Sequence, residues 1–177
     1  MRRFLDRLYA ASGALAAISL ASICVLMLAQ AVGREFGLLI RFADDLTSWL
    51  CAASAFLALG HTFRHGELVR VGLFIDRLKP GPRRIAEIAT LSVTAVFIGY
   101  MAVAVTKFVF ESWKFKEVAQ GLVKIPIWIP QLCFVVGVLI FLIAVVDELV
   151  AVLRKQKPAY QLAEEDRRAR GDYSEMA

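Results

Sequence analysis

The stretch 8–33, LYAASGALAAISLASICVLMLAQAVG, runs for 26 residues without a charge, between Arg7 on one side and Arg34 on the other. As an α-helix rising about 1.5 Å per residue it would be about 39 Å long, enough to cross a hydrocarbon core of about 30 Å. Three more uncharged runs follow, 46–63, 88–106 and 125–146, of 18, 19 and 22 residues. At the same rise each covers about 27 to 33 Å. The chain has 177 residues, 59% hydrophobic and 21% charged, a balance that excludes a disordered or fibrous protein. What remains outside the runs falls into five pieces, the longest being the 31-residue tail from Asp147 to Ala177. None reaches the roughly 50 residues that a separate domain usually needs. The sequence therefore predicts an all-α integral membrane protein of four transmembrane helices joined by interfacial amphipathic segments. The expected spans are about 8–33, 46–63, 85–106 and 126–150 within a membrane domain 1–158, and 159–177 is a polar cytoplasmic tail.

Ala14-Leu15-Ala16 has small residues at the spacing of a signal-peptide cleavage site. The uncharged run continues for 17 residues beyond it, whereas a signal core is about 7 to 15 residues, so the first helix is expected to stay in place. Arg2-Arg3-Phe4-Leu5 lacks the residue that normally separates the arginines of an export signal from the apolar pair, and reads as flanking charge. Lys and Arg outside the runs number 3, 2, 6, 4 and 6 in chain order, or 15 on one side of the membrane against 6 on the other. Positive charge stays inside, which places both termini and the middle loop in the cytoplasm. Trp49, Trp113 and Trp128 would then all lie at the outer interface, where amphipathic rings settle. Cys24, Cys51 and Cys133 sit inside apolar spans and read as small inert side chains.

A transporter or pump normally carries carboxylates, histidines or unwound glycine-rich segments at mid-membrane. No ionisable residue of that kind lies near a span midpoint here. His61 stands close to the cytoplasmic end of the second span and His65 just beyond it, where an interfacial hydrogen-bonding role is expected of a histidine. Pro126 and Pro130 fall in the first turns of the fourth span, where a missing amide donor costs little. There is no serine elbow, no Cys-x-x-Cys or His-x-x-x-His pair and no phosphate loop. The pairs Asp44-Asp45 and Asp147-Glu148 are adjacent in sequence, so on a helix each pair diverges by about 100° and reads as span-end charge. Neither a catalytic group, a cofactor, a metal site nor a nucleic-acid partner is expected. An enzyme would have only Asp44, Asp45 and Glu111 to work with at the outer face.

Small residues at helical spacing mark close contacts in lipid: Gly13, Ala17 and Ala21 on the first helix, Ser48, Ala52, Ala55 and Ala58 on the second, and Ala95 with Gly99 on the third. Such stripes serve either to join these four helices or to dock a partner. Between the second and third spans, Leu68, Val69, Val71, Leu73, Phe74, Ile75 and Leu78 alternate with Arg64, Arg70, Arg77, Lys79, Arg83 and Arg84. That segment is expected in the headgroup layer, with Arg70 and Arg77 on membrane lipid, until Pro80-Gly81-Pro82 breaks it. The outer loop 108–124, with Phe108, Phe110, Trp113, Phe115, Val118 and Leu122, has a similar interfacial pattern.

Taken in order, these features resemble the small membrane subunit, the DctQ-like or Q subunit, of tripartite ATP-independent periplasmic (TRAP) transporters, over roughly residues 10 to 155. The resemblance is carried by Arg34, Asp45, Trp49, the run Gly66 to Val71, Asp76-Arg77-Leu78, Ile125-Pro126, Pro130 and Gly137. Leu68 and Gly72 depart from the polar residues that many members carry on either side of the Val-x-Val run. The resemblance implies a non-catalytic bacterial inner-membrane subunit. Its partners would be a large multispan subunit that holds the solute and sodium sites and a periplasmic solute-binding protein that delivers small organic acids. Arg34, Asp44, Asp45 and Trp49 are the expected partner contacts, and Arg70, Arg77, Trp113 and Trp128 the expected membrane-interface residues. Arg34 with Asp44-Asp45 reads either as a polar clasp across the first outer loop or as solvated boundary charge. A self-sufficient small oligomeric transporter or channel is the competing class; it would need a charged or polar line through the spans.

Overall fold

The computed structural model describes residues 2–37, 42–64, 80–119 and 124–154. Four helices account for nearly all of these residues: α1 (Arg2–Glu35), α2 (Ala43–Arg64), α3 (Pro80–Lys114) and α4 (Trp128–Leu153). All four are long and apolar enough to cross a membrane. The Arg70 and Arg77 segment and the tail beyond Arg154 lie outside the described residues.

Each helix end has a local cause. The last turn of α1 closes on backbone bonds from Phe36 to Gly33 and from Gly37 to Arg34, with Gly37 in the left-handed region at φ 72°, which glycine reaches without a Cβ penalty. Asp44 and Asp45 stand in the first turn of α2 and His61 and Arg64 in its last, each sign at the end of the helix dipole that favours it. α3 opens on Pro80, which has no amide to leave unpaired. It continues past the uncharged run to Lys114, so Phe108, Phe110 and Trp113 lie on its final two turns instead of in a loop. There the amides of Glu117 and Lys116 bond back to Ser112 and Trp113, at 3.0 and 3.2 Å, with Lys116 left-handed at φ 53°. This is a Schellman stop, the turn that usually takes glycine at the left-handed position. A short antiparallel contact of Val118 with Pro126 then leads into α4. Pro130 falls in the first turn of α4, as expected of helix initiation.

The helices form an open layer in the order α1, α2, α4, α3, with extensive packing between successive members and only a marginal touch between α1 and α4. The inner positions show in the burial: 33% of the most apolar window of α4 is buried, against 11% for α1 and for α3. α1 meets α2 along Tyr9, Ser12, Ala16, Ser19, Ile23, Leu26 and Gln30, alternate steps of three and four, all buried or half-buried. That is the seam of a left-handed helix pair. Ala17 and Ala21 face away from it. The hydroxyls of Ser12, Ser19 and Ser22 return to carbonyls three or four residues back, so they can lie in an apolar medium.

α2 and α4 run parallel and in close contact. A Cβ on Gly137 would lie 2.6 Å from the backbone of Phe56, and one on Gly60 would lie 2.8 Å from Ile140. Phe56 against Phe134 and Phe63 against Phe141 flank the crossing, at ring-centroid distances of 5.0 and 5.5 Å. The larger core combines Phe63 with Leu91, Ile98 and Ala102 of α3 and with Val138, Phe141, Ala144 and Val145 of α4. A smaller one joins Ala16 to Ala53 and Leu57.

Candidate functional site: two charged ends of a helical layer

Because the chain crosses back and forth, the end of α1, the start of α2, the end of α3 and the start of α4 lie at one end of the layer. Trp49, Trp113 and Trp128 all belong to that end. Trp113 is 57% exposed and packs on Phe110 at 5.8 Å, Trp128 opens α4, and Trp49 is half-buried two turns into α2. At the α1–α2 corner, Gln30 donates to Asp44 at 3.1 Å, an amide from the α1 seam reaching the first turn of α2. Asp45 is half-buried and Arg34 is exposed. Among the described residues Arg34 forms no ion pair with either aspartate; the bond across the corner comes from Gln30, one turn earlier.

The opposite end holds a second polar group, made of Arg64 and Arg84, expected among lipid headgroups, and of Asp147-Glu148, expected as span-end charge, together with Asp6 and Tyr9. Arg64, at the end of α2, pairs with Asp6 of α1 and, at 3.5 Å, with Asp147 of α4. Its guanidinium also lies 4.9 Å from the centroid of the Tyr9 ring, within reach of a cation–π contact. His61 Nδ1 lies 3.3 Å from the Tyr9 carbonyl and its ring fills the space that Gly13 leaves. Glu148 is only 3% exposed. Adjacent Asp147 and Glu148 do diverge, yet one meets Arg64 and the other is buried. At the same end Arg84 of α3 donates to the carbonyls of Val152 and Leu153, the last turn of α4. Every helix is thus tied to a neighbour by a polar contact at this end. The signal available in the sequence was depth: Asp6, Arg64, Arg84 and Asp147 all fall just beyond the ends of uncharged runs that face the same side.

Between the two ends no Asp, Glu, Lys, Arg or His occupies a span centre. Among the described residues no three His, Cys, Asp or Glu side chains gather as metal ligands would. Cys24, Cys51 and Cys133 are free thiols on three different helices. Large apolar side chains stay uncovered along α1 and α3, among them Ile18, Val25 and Leu28 on the former and Val93, Val96 and Tyr100 on the latter. The fold and these ends define a multi-pass membrane protein with apolar surface between two charged ends.

Residues 23–155, more than half of the chain, match the family described as tripartite ATP-independent periplasmic transporters, DctQ component, and the protein belongs to that family. It is therefore a component of a tripartite transporter, which implies a further membrane subunit and a binding-protein subunit as partners. Comparison with curated proteins gives no match.

Proposed function

We propose that this chain is the small, non-catalytic inner-membrane subunit that scaffolds the large transport subunit of a TRAP transporter. The complex takes up a small organic acid, delivered by a periplasmic solute-binding protein, by sodium-coupled symport. The observation that carries this reading is the open layer itself: α1 and α3 keep uncovered apolar faces while no charge enters a span centre, so the chain offers surface and no solute pathway of its own. Both termini are cytoplasmic on the cation asymmetry. The outer corner, with Arg34, Asp44, Asp45 and Trp49, is the partner contact. Arg34 supports that assignment, since its cation is exposed at the corner and the Asp44 carboxylate is already held by Gln30.

The test is copurification of the tagged chain from its own membranes, with solute uptake measured in parallel. Wild type is expected to bring down one large multispan protein in equal amount. Arg34→Ala and Asp45→Ala are each expected to reduce that yield and uptake together. Isolation of the wild-type chain alone, as a homo-oligomer that moves solute when reconstituted, would replace this reading with the self-sufficient transporter.

A further inference from the structure

An open groove of about 500 Å³ runs between α3 and α4. Gly99 and Ala102 line it from α3, Leu139 and Leu142 from α4, and its mouth carries Lys107 and Glu111. Gly99 is two residues past the midpoint of the uncharged run 88–106. At about 1.5 Å per residue, Lys107 lies about 15 Å and Glu111 about 21 Å from that midpoint, at and just beyond the half-thickness of about 15 Å. The groove therefore begins at the bilayer centre and ends among headgroups, one leaflet deep. A helix of a partner protein would cross both leaflets; an acyl chain occupies one.

Two further observations bear on the occupant. Gly13, Gly60 and Gly137 each make room for a neighbour that would stand within 2.8 Å of an added Cβ, whereas an added Cβ at Gly99 would meet nothing within 4 Å. The space opened by this glycine is not filled by any of the described residues. At the mouth, Lys107 and Glu111 are exposed, lie one helical turn apart on neighbouring positions, and form no ion pair among the described residues. A lone anionic lipid would satisfy the lysine and be repelled by the glutamate. A headgroup with one anion and one cation complements both.

We propose that the groove binds a zwitterionic aminophospholipid of the phosphatidylethanolamine type in the leaflet at the C-terminal end of α3. One acyl chain lies over Gly99 and Ala102, the phosphate meets Lys107 and the ammonium meets Glu111. The inference rests on the helices spanning a bilayer and is independent of the transport reading. Native mass spectrometry of the delipidated full chain, titrated with phosphatidylethanolamine or with phosphatidylglycerol of the same acyl chains, tests it. Phosphatidylethanolamine is expected to form a single strong adduct and phosphatidylglycerol to bind about tenfold more weakly, the size of one charge-assisted contact. Glu111→Gln should erase that preference, and Lys107→Ala should weaken both adducts. Gly99→Leu and, as a separate filling variant, Val103→Trp should remove the adduct while helical circular dichroism stays at wild-type level. Equal binding of the two headgroups, or an adduct that survives both filling variants, would overturn the proposal. So would a disulfide between Val103→Cys and a cysteine on the large subunit in the assembled complex, because a protein helix would then hold the groove.

Discussion

One guanidinium serves carboxylates from two helices that hardly touch each other. Arg64 is 18% exposed, while Asp6 and Asp147 are 51% and 36% exposed. The half-solvated Asp6 contact is worth only about 0 to 1 kcal/mol. Losing the arginine altogether leaves Asp6 and Asp147 without their shared cation and removes the contact over the Tyr9 ring, which raises the cost above that of a single exposed pair. Arg64→Ala is therefore expected to destabilise the chain by about 1 to 3 kcal/mol. Asp6→Asn should stay within about 1 kcal/mol. Thermal unfolding in detergent orders the two variants. A second contrast uses two glycines in similar helices. Gly137→Ala forces the α2 backbone away from α4 and should cost about 1 to 3 kcal/mol, visible in the same melts. Gly99→Ala meets nothing and should be neutral or slightly favourable. In the sequence Gly99 belongs to a small-residue stripe with Ala95, and Gly137 only to the family resemblance. Only the crossing point of α2 and α4 separates them.

At the scale of elements, the uncharged run and the helix proved to be different lengths for a physical reason. Charges are excluded by hydrocarbon, not by helical geometry, so a run free of charge measures membrane depth while the helix goes on into the headgroups. Lys107 ends the third run, yet α3 continues to Lys114. What stops it is the Schellman turn, and the residue in its left-handed position is a lysine, where a Cβ is unfavourable by about 1 to 2 kcal/mol. Lys116→Gly is expected to raise stability by up to about 1 kcal/mol, once the extra freedom of glycine in the unfolded chain is set against the relief. An unchanged or lowered melting temperature would show that the strain is not there. The seam of α1 teaches a related lesson. Of the small residues at spacing four, Gly13 meets His61 of α2 while Ala17 and Ala21 are exposed, and the buried line follows alternate steps of three and four through Tyr9, Ala16 and Ile23. A left-handed helix pair keeps that 3.5-residue period in contact, and a strict period of four rotates off the interface.

For the whole molecule, the cation asymmetry carries an expectation about sidedness. In a variant with Cys24, Cys51 and Cys133 replaced by alanine, Phe36→Cys and Lys114→Cys should react with an impermeant thiol reagent applied to intact cells. Arg154→Cys should react only after lysis. All three positions are exposed, so accessibility in the folded chain does not decide the result. Labelling of Arg154→Cys from outside would invert the orientation that the 15 to 6 cation asymmetry assigns.

The number of spans, their approximate depth and the absence of charge at their centres were determined by the sequence alone, because partition into hydrocarbon is a sum over local residues and needs no knowledge of neighbours. The family resemblance was legible for the same reason, in the order of charges and prolines along four spans. Which helices touch was not. Apolar side chains face lipid as readily as each other, so hydrophobicity does not choose between a closed bundle and a layer in the order α1, α2, α4, α3. That choice is made by shape, at Gly137 on Phe56, Gly60 on Ile140 and His61 on Gly13, and by the polar groups that proximity brings together. The pairing of Arg64 with Asp6 and Asp147 spans 58 and 83 residues of chain, and Gln30 rather than Arg34 reaching Asp44 depends on which face of α1 turns inward. Tertiary structure decided these because they are properties of helix rotation and crossing, which a linear pattern of charge does not contain.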